Sequence, residues 1–172
     1  MLFRSDPRVA EWQAMADATA KAYGKWFTPR VVVGGALGAA SYSESGPYIY
    51  IHPKTLTSPS LRVLVAHELG HYVLGHHGSS LSYTRGFQEK RELDANTEAV
   101  RILVKLGSSE PDALRLMYDA LAWIHRNSLP NVARMFGHYE ACTEIRDLLG
   151  RFPRWRDAIT VAPALEACVP PP

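Results

Sequence analysis

Cysteine is scarce in this chain. Cys142 and Cys168 are the only two in 172 residues, and they lack the CxxC spacing of a metal or redox pair. Reduced, structural thiols are the default expectation, with a disulfide between them left open for an exported chain. Long apolar runs are missing as well. No stretch reaches the ~18 apolar residues of a membrane span, so no span is expected. The N-terminal MLFRSDPRVAEW has no apolar h-region that would read as a secretory signal. The expected setting is cytoplasmic. Charge of one sign is also lacking. The formal net charge is +2, too small to direct the chain to nucleic acid or a membrane surface. Arg151, Arg154 and Arg156 gather near aromatics, as at a solvated helix end. No internal repeat is present, and nothing in the pattern sets an oligomeric state.

What is present suits a folded domain. The chain is 47% apolar and 21% charged, enough to bury a core without disulfide staples. A single domain is expected over residues 1–162, with a Pro-rich, poorly ordered tail over 163–172. Asp6 and Pro7 open a helix that Gly24 can end near Phe27, with Trp12, Met15, Ala16, Thr19 and Tyr23 on one face. The β-branched run Val31–Val33 reads as a strand. Residues 36–43 and Tyr48–Ile51 read as a hairpin about the turn Glu44-Ser45-Gly46-Pro47. Ser58-Pro59 signals a second helix, running to Gly75–Gly78 and followed by a loop over 79–86. Further helices are expected over 87–106, over 109–128 and from Pro130 to Leu149, with a last turn at 155–159. Helix, small sheet, then helices is an α+β order.

The informative segment is Ala66-His67-Glu68-Leu69-Gly70-His71-Tyr72. Histidines at i and i+4 project from one helix face, one turn apart. Their ring nitrogens can converge on a single zinc ion. Glu68 follows the first ligand and is placed to take a proton from water, the general-base role. The bland alternative is a buried helix with satisfied histidines. Leu61, Val63, Leu64, Val65, Leu69, Val73 and Leu74 surround the motif, so this helix should be buried. Two His and one Glu would be costly there without a metal.

A catalytic zinc needs a third protein ligand and an open position. Candidates lie in the segment from Glu89 to Glu98. Glu92, Ala95, Asn96, Ala99, Leu103 and Leu106 share a mostly apolar stripe. Arg91, Asp94, Glu98, Arg101 and Lys105 form an opposite, charged ladder and read as solvated. Glu92 is therefore the expected third ligand, with Glu89 second. Asn96, one turn beyond Glu92, can accept a hydrogen bond from a ligand histidine; the alternative is an Asn that satisfies nearby backbone.

With these residues in place, His67-Glu68-Leu69-Gly70-His71 followed by Glu92-x-x-x-Asn96 resembles the gluzincin pattern of zinc peptidases. The first resemblance is to the HtpX and CAAX prenyl protease family. The run from Glu98 to Gly107 and the helix after it are similar to that family's continuation. Met135-Phe136-Gly137-His138-Tyr139 followed by Arg146 loosely echoes its later His-Pro element and arginine. That resemblance implies His138 as a helper at the transition state; an ordinary surface or core histidine is the alternative. Three departures stand: Asn96 replaces an Asp, Tyr139 replaces a Pro, and the membrane helices of integral members are missing. The second resemblance is to ImmA/IrrE-type metallopeptidases, whose E-x-E-A-N form is similar to Glu92-Leu93-Asp94-Ala95-Asn96 and accounts better for the Asn. Both imply the same ligands, one zinc per chain, and a peptide or protein substrate.

The expected activity is that of a zinc-dependent endopeptidase, with a regulatory or non-catalytic zinc protein as the alternative. His76 and His77 are expected to complement the helix dipole rather than bind a second ion. Tyr48–Ile51, taken as an edge strand, could hold an extended peptide beside the metal or be an ordinary core strand.

Overall fold

Apolar runs broken by Pro and Gly divide the chain into helices and three short strands. The computed structural model describes residues 7–34, 40–43, 47–76, 85–127 and 141–154. Along these run α1 (Pro7–Ala22), β1 (Arg30–Val33), β2 (Ala40–Ser43), β3 (Tyr48–Ile51), α2 (Leu61–Leu74), α3 (Arg85–Lys105), α4 (Glu110–Asn127) and α5 (Ala141–Arg151). The α+β order stands. No helix among the described residues is long and apolar enough to cross a membrane.

β2 and β3 form the anticipated antiparallel hairpin, pairing Ala40 with Ile51 and Ser43 with Tyr48. β1 then joins the other side of β3 in parallel, Arg30 opposite Tyr48 and Val33 opposite Ile51. The strand order is β1-β3-β2. Tyr48–Ile51 is therefore the central strand, which corrects its reading as an edge; neighbouring runs cannot reveal where a parallel third strand docks. Alternation sends Ile49 and Ile51 into the core. Tyr48 and Tyr50 stay half-buried, with ring centroids 5.8 Å apart.

α2 is the centre of the molecule. Leu61, Val63, Val65, Ala66, Leu69 and Tyr72 are all buried, as its sequence requires. It starts at Leu61 rather than at Pro59. The Ser58 hydroxyl accepts from the Ser60 amide at 3.2 Å, closing a turn ahead of the helix. α1 is held by two polar ties besides its buried Ala16, Thr19 and Ala20. The Gln13 side chain accepts from Val31 N at 2.9 Å and donates to Pro29 O at 3.2 Å, which fixes the entry to β1. The Tyr72 hydroxyl donates to the Phe27 carbonyl beyond the helix end.

α3 overturns part of the helical-face reading. Glu98 is 5% exposed, not solvated. It accepts from the hydroxyl of Tyr23, in the turn just after α1, at 2.6 Å and from Arg101 at 3.1 Å. Asp94 pairs with Arg151 of α5 at 2.8 Å. Arg101 and Lys105 of the expected ladder do stay exposed, but neighbouring elements cover its acidic members, which a helical period cannot report. The reduced-thiol expectation is also corrected. Cys142 is disulfide-bonded, and the only other cysteine, Cys168, lies outside the described residues. Bridging depends on closeness in space, which a separation along the chain does not report.

Candidate metal centre

His67 and His71 stand one turn apart on α2, with ring centroids 4.8 Å apart. Their Nε2 atoms are 3.1 Å from each other. From α3, Glu92 brings Oε2 to 3.1 Å from His67 Nε2 and 3.4 Å from His71 Nε2. The side chains of His67, His71 and Glu92 are only 11%, 12% and 16% exposed. Among the described residues no fourth His, Cys or carboxylate joins this cluster.

The donor atoms fit a metal. Ligands at ~2.0–2.1 Å from a tetrahedral zinc lie about 3.3 Å from one another. The three separations of 3.1, 3.1 and 3.4 Å match one triangular face of that tetrahedron. The fourth vertex is left for water or substrate. Electrostatics agree. Burial alone disfavours a charged His67, but the hydrogen bond and charge of Glu92, with Glu68 and Glu144 adding, push it up to about 9. Burial likewise works against the Glu92 carboxylate, yet His67 and His71 hold it well below the usual carboxylate range. The Glu92 carboxylate draws positive charge to this point, a proton on His67 in the absence of an ion and a metal cation in its place.

Each ligand ring has a partner on its far nitrogen. His67 Nδ1 lies 2.9 Å from Asn96 Oδ1. The amide oxygen only accepts, so Nδ1 carries a hydrogen, and Nε2 is the nitrogen left for a metal to take in place of its proton. Asn96 Nδ2 donates in turn to Glu144 Oε2 at 3.3 Å. Glu144, on α5 and 4% exposed, thereby sets which way the amide points. On the other ring, His71 Nδ1 lies 3.0 Å from His76 Nδ1. Burial first, then His71 and Arg91, push His76 down to about 4, with Asp94 and Glu92 opposing. The ring of His76 is thus directed at His71, a contact that the helix-dipole reading did not include.

Gly70 explains how α3 comes close enough. A Cβ at this position would sit 2.8 Å from the Ala95 carbonyl oxygen and 3.3 Å from its Cα. Without one, the α2 and α3 backbones touch directly between the two ligand histidines. Glu92 and Asn96, three residues before and one after Ala95, then flank that contact. The apolar stripe of α3 is buried as expected, with Ala95, Ala99 and Leu103 at 0% exposure.

The remaining candidates fall as follows. Glu68 is half-buried, and its charge acts on His67. Glu89 is not in the cluster. His52 caps the turn after β3, accepting from Lys54 N at 3.1 Å. His138, the expected helix from Pro130 as far as residue 140, His77, most of the 79–86 loop, the hairpin residues 44–46, the last turn at 155–159 and the 163–172 tail lie outside the described residues. Sequence reasoning missed Glu144, which is 48 residues from Asn96 and carries no motif. It also missed the spacer role of Gly70, although a glycine inside an otherwise apolar helix is a signal of close approach.

An α+β domain with two histidines of one helix and a carboxylate of the next, placed to bind a metal ion, defines a metallopeptidase-like class. Residues 30–143 match the peptidase M78 family, the IrrE N-terminal-like domain. The chain belongs to this family. No curated protein and no solved structure matches it. The family match supports the second resemblance, to the ImmA/IrrE type, and gives no support to the first, to HtpX and CAAX prenyl proteases. The H-E-x-x-H segment is common to both patterns. The Asn at position 96 was the better discriminator, because it reports on the partner of the ligand ring rather than on the metal.

Proposed function

We propose that this chain is a zinc-dependent endopeptidase acting on a peptide or protein substrate. The observation that carries the reading is the open triangle of His67, His71 and Glu92, with Glu68 following the first ligand. A zinc ion held there supplies a Lewis acid to a scissile carbonyl and to an attacking water. The protein's own residues do the rest. Asn96 keeps His67 in the tautomer that ligates. Glu92 balances the cation's charge. Glu68 accepts the proton of the attacking water and passes it to the departing amine. The purely regulatory or non-catalytic zinc protein is the other reading. It is less favoured because a structural zinc is usually closed by four protein ligands, and three converge here among the described residues.

Glu68→Gln tests this directly. The substitution keeps shape and one acceptor but cannot take up a proton. Hydrolysis of an unfolded-protein panel should fall by ~10²–10⁴-fold while zinc content is unchanged. Unaltered hydrolysis would assign the activity to another site. Loss of zinc would make Glu68 a structural partner of the metal.

A further inference from the structure

The end of α2 is built so that the residue after its terminal glycine returns to the second ligand. Gly75 adopts φ 64°, ψ 37°, a left-handed conformation that side chains disfavour. Its amide donates to Tyr72 O at 3.2 Å, and the next amide, of His76, donates to His71 O at 2.9 Å. This pair of bonds is the Schellman motif. In that motif the residue just past the glycine packs against the residue four positions before the glycine, ordinarily through an apolar contact. Here both positions are histidine. Their rings meet with centroids 5.1 Å apart at 61°, and their Nδ1 atoms are 3.0 Å apart.

The polarity of that contact can be deduced. A metal ligand at His71 Nε2 needs a lone pair there, so the ring's one hydrogen sits on Nδ1. His71 Nδ1 must then donate, and His76 Nδ1 must accept. We propose that His76 is a positioning residue for the metal: through the Schellman turn it holds His71 in the ligating tautomer and ring orientation. The inference rests on the zinc reading above and names a residue that reading does not use. His76 and the Asn96 amide thus do the same service for the two rings from different elements. One is local, set by five residues of chain; the other arrives across the α2–α3 contact.

The experiment is zinc affinity, measured by competition with a chromophoric chelator, for the wild type, His76→Phe and His76→Asn. Circular dichroism checks that each variant is folded. Phe fills the same space without an acceptor, and Asn offers an acceptor oxygen with less bulk. Loss of an outer partner of this kind typically weakens binding about 10–100-fold, which is expected for His76→Phe, with His76→Asn recovering most of the loss. The cobalt-substituted His76→Phe protein should also show an altered visible spectrum, because the ligand ring is free to turn. Wild-type affinity in His76→Phe overturns the proposal. Equal weakening in both variants also overturns it, by showing that packing, not the acceptor, matters. A second zinc equivalent lost with His76 would make it a ligand and overturn it as well. Failure of the wild type to bind zinc is a separate result, which removes the metal reading itself.

Discussion

At the scale of single residues, two carboxylates on α3 separate metal binding from packing. Glu92 meets both ligand histidines, whereas Glu98 lies under Tyr23 and Arg101. Both are shielded from water, so burial alone does not distinguish them; their partners do. Glu92→Ala, like His67→Ala or His71→Ala, should strip the zinc from the purified protein. Glu98→Ala should keep full zinc content but lose about 1–3 kcal/mol of stability, because the phenol is left without its acceptor. Metal analysis after dialysis and urea unfolding measure the two effects. Equal zinc loss in Glu92→Ala and Glu98→Ala would contradict the assignment. The helical-face reasoning selected the carboxylate that meets both histidines, for an incomplete reason. The Glu92 stripe does face α2, but the opposite stripe is not free of neighbours.

At the scale of elements, the site depends on how closely α2 and α3 approach. Each helix carries an incomplete site, and the backbone contact of Gly70 with Ala95 makes them one. Gly70→Ala would help an isolated helix by about 1 kcal/mol. In this pair it inserts a methyl group 2.8 Å from a backbone oxygen, and neither partner is a flexible side chain. Overpacking of this kind typically costs about 1–3 kcal/mol. The expected result is lower thermal stability together with weaker zinc binding, since Glu92 and Asn96 move with α3. Thermal melts with and without zinc read both. A Gly70→Ala protein with native stability and affinity would show that α3 is not held by this contact. The hairpin, the parallel strand and the edges of α2 show the same division: runs and punctuation mark elements, and their partners depend on packing.

At the scale of the whole molecule, polar ties run from the N-terminal helix and the C-terminal helix to α3. Tyr23, just beyond α1, reaches Glu98, while Glu144 and Arg151 of α5 reach Asn96 and Asp94. The first tie has a pH signature. Burial, then the hydrogen bond and charge of Glu98, raise the Tyr23 phenol above its ordinary value against the pull of Arg101. The unfolded phenol ionises near pH ~10. Its contribution to stability is therefore whole below that value and is lost as pH rises beyond it, because only the unfolded chain then releases the proton. Tyr23→Phe should show a shallower fall in melting temperature from about pH 9 to about pH 11 than the wild type. Parallel profiles would mean that Tyr23 is solvated in the folded state. The sequence alone determined the α+β order and the two histidines one turn apart. It also determined the glutamate between them and the choice of Glu92, because helical spacing and apolar patterning are local properties of the chain. Tertiary structure decided that β3 is central, that Glu98 is buried and that Cys142 is bridged. It also decided that Glu144 stands behind Asn96. Those facts depend on which distant surfaces meet, and no local period in the chain encodes that.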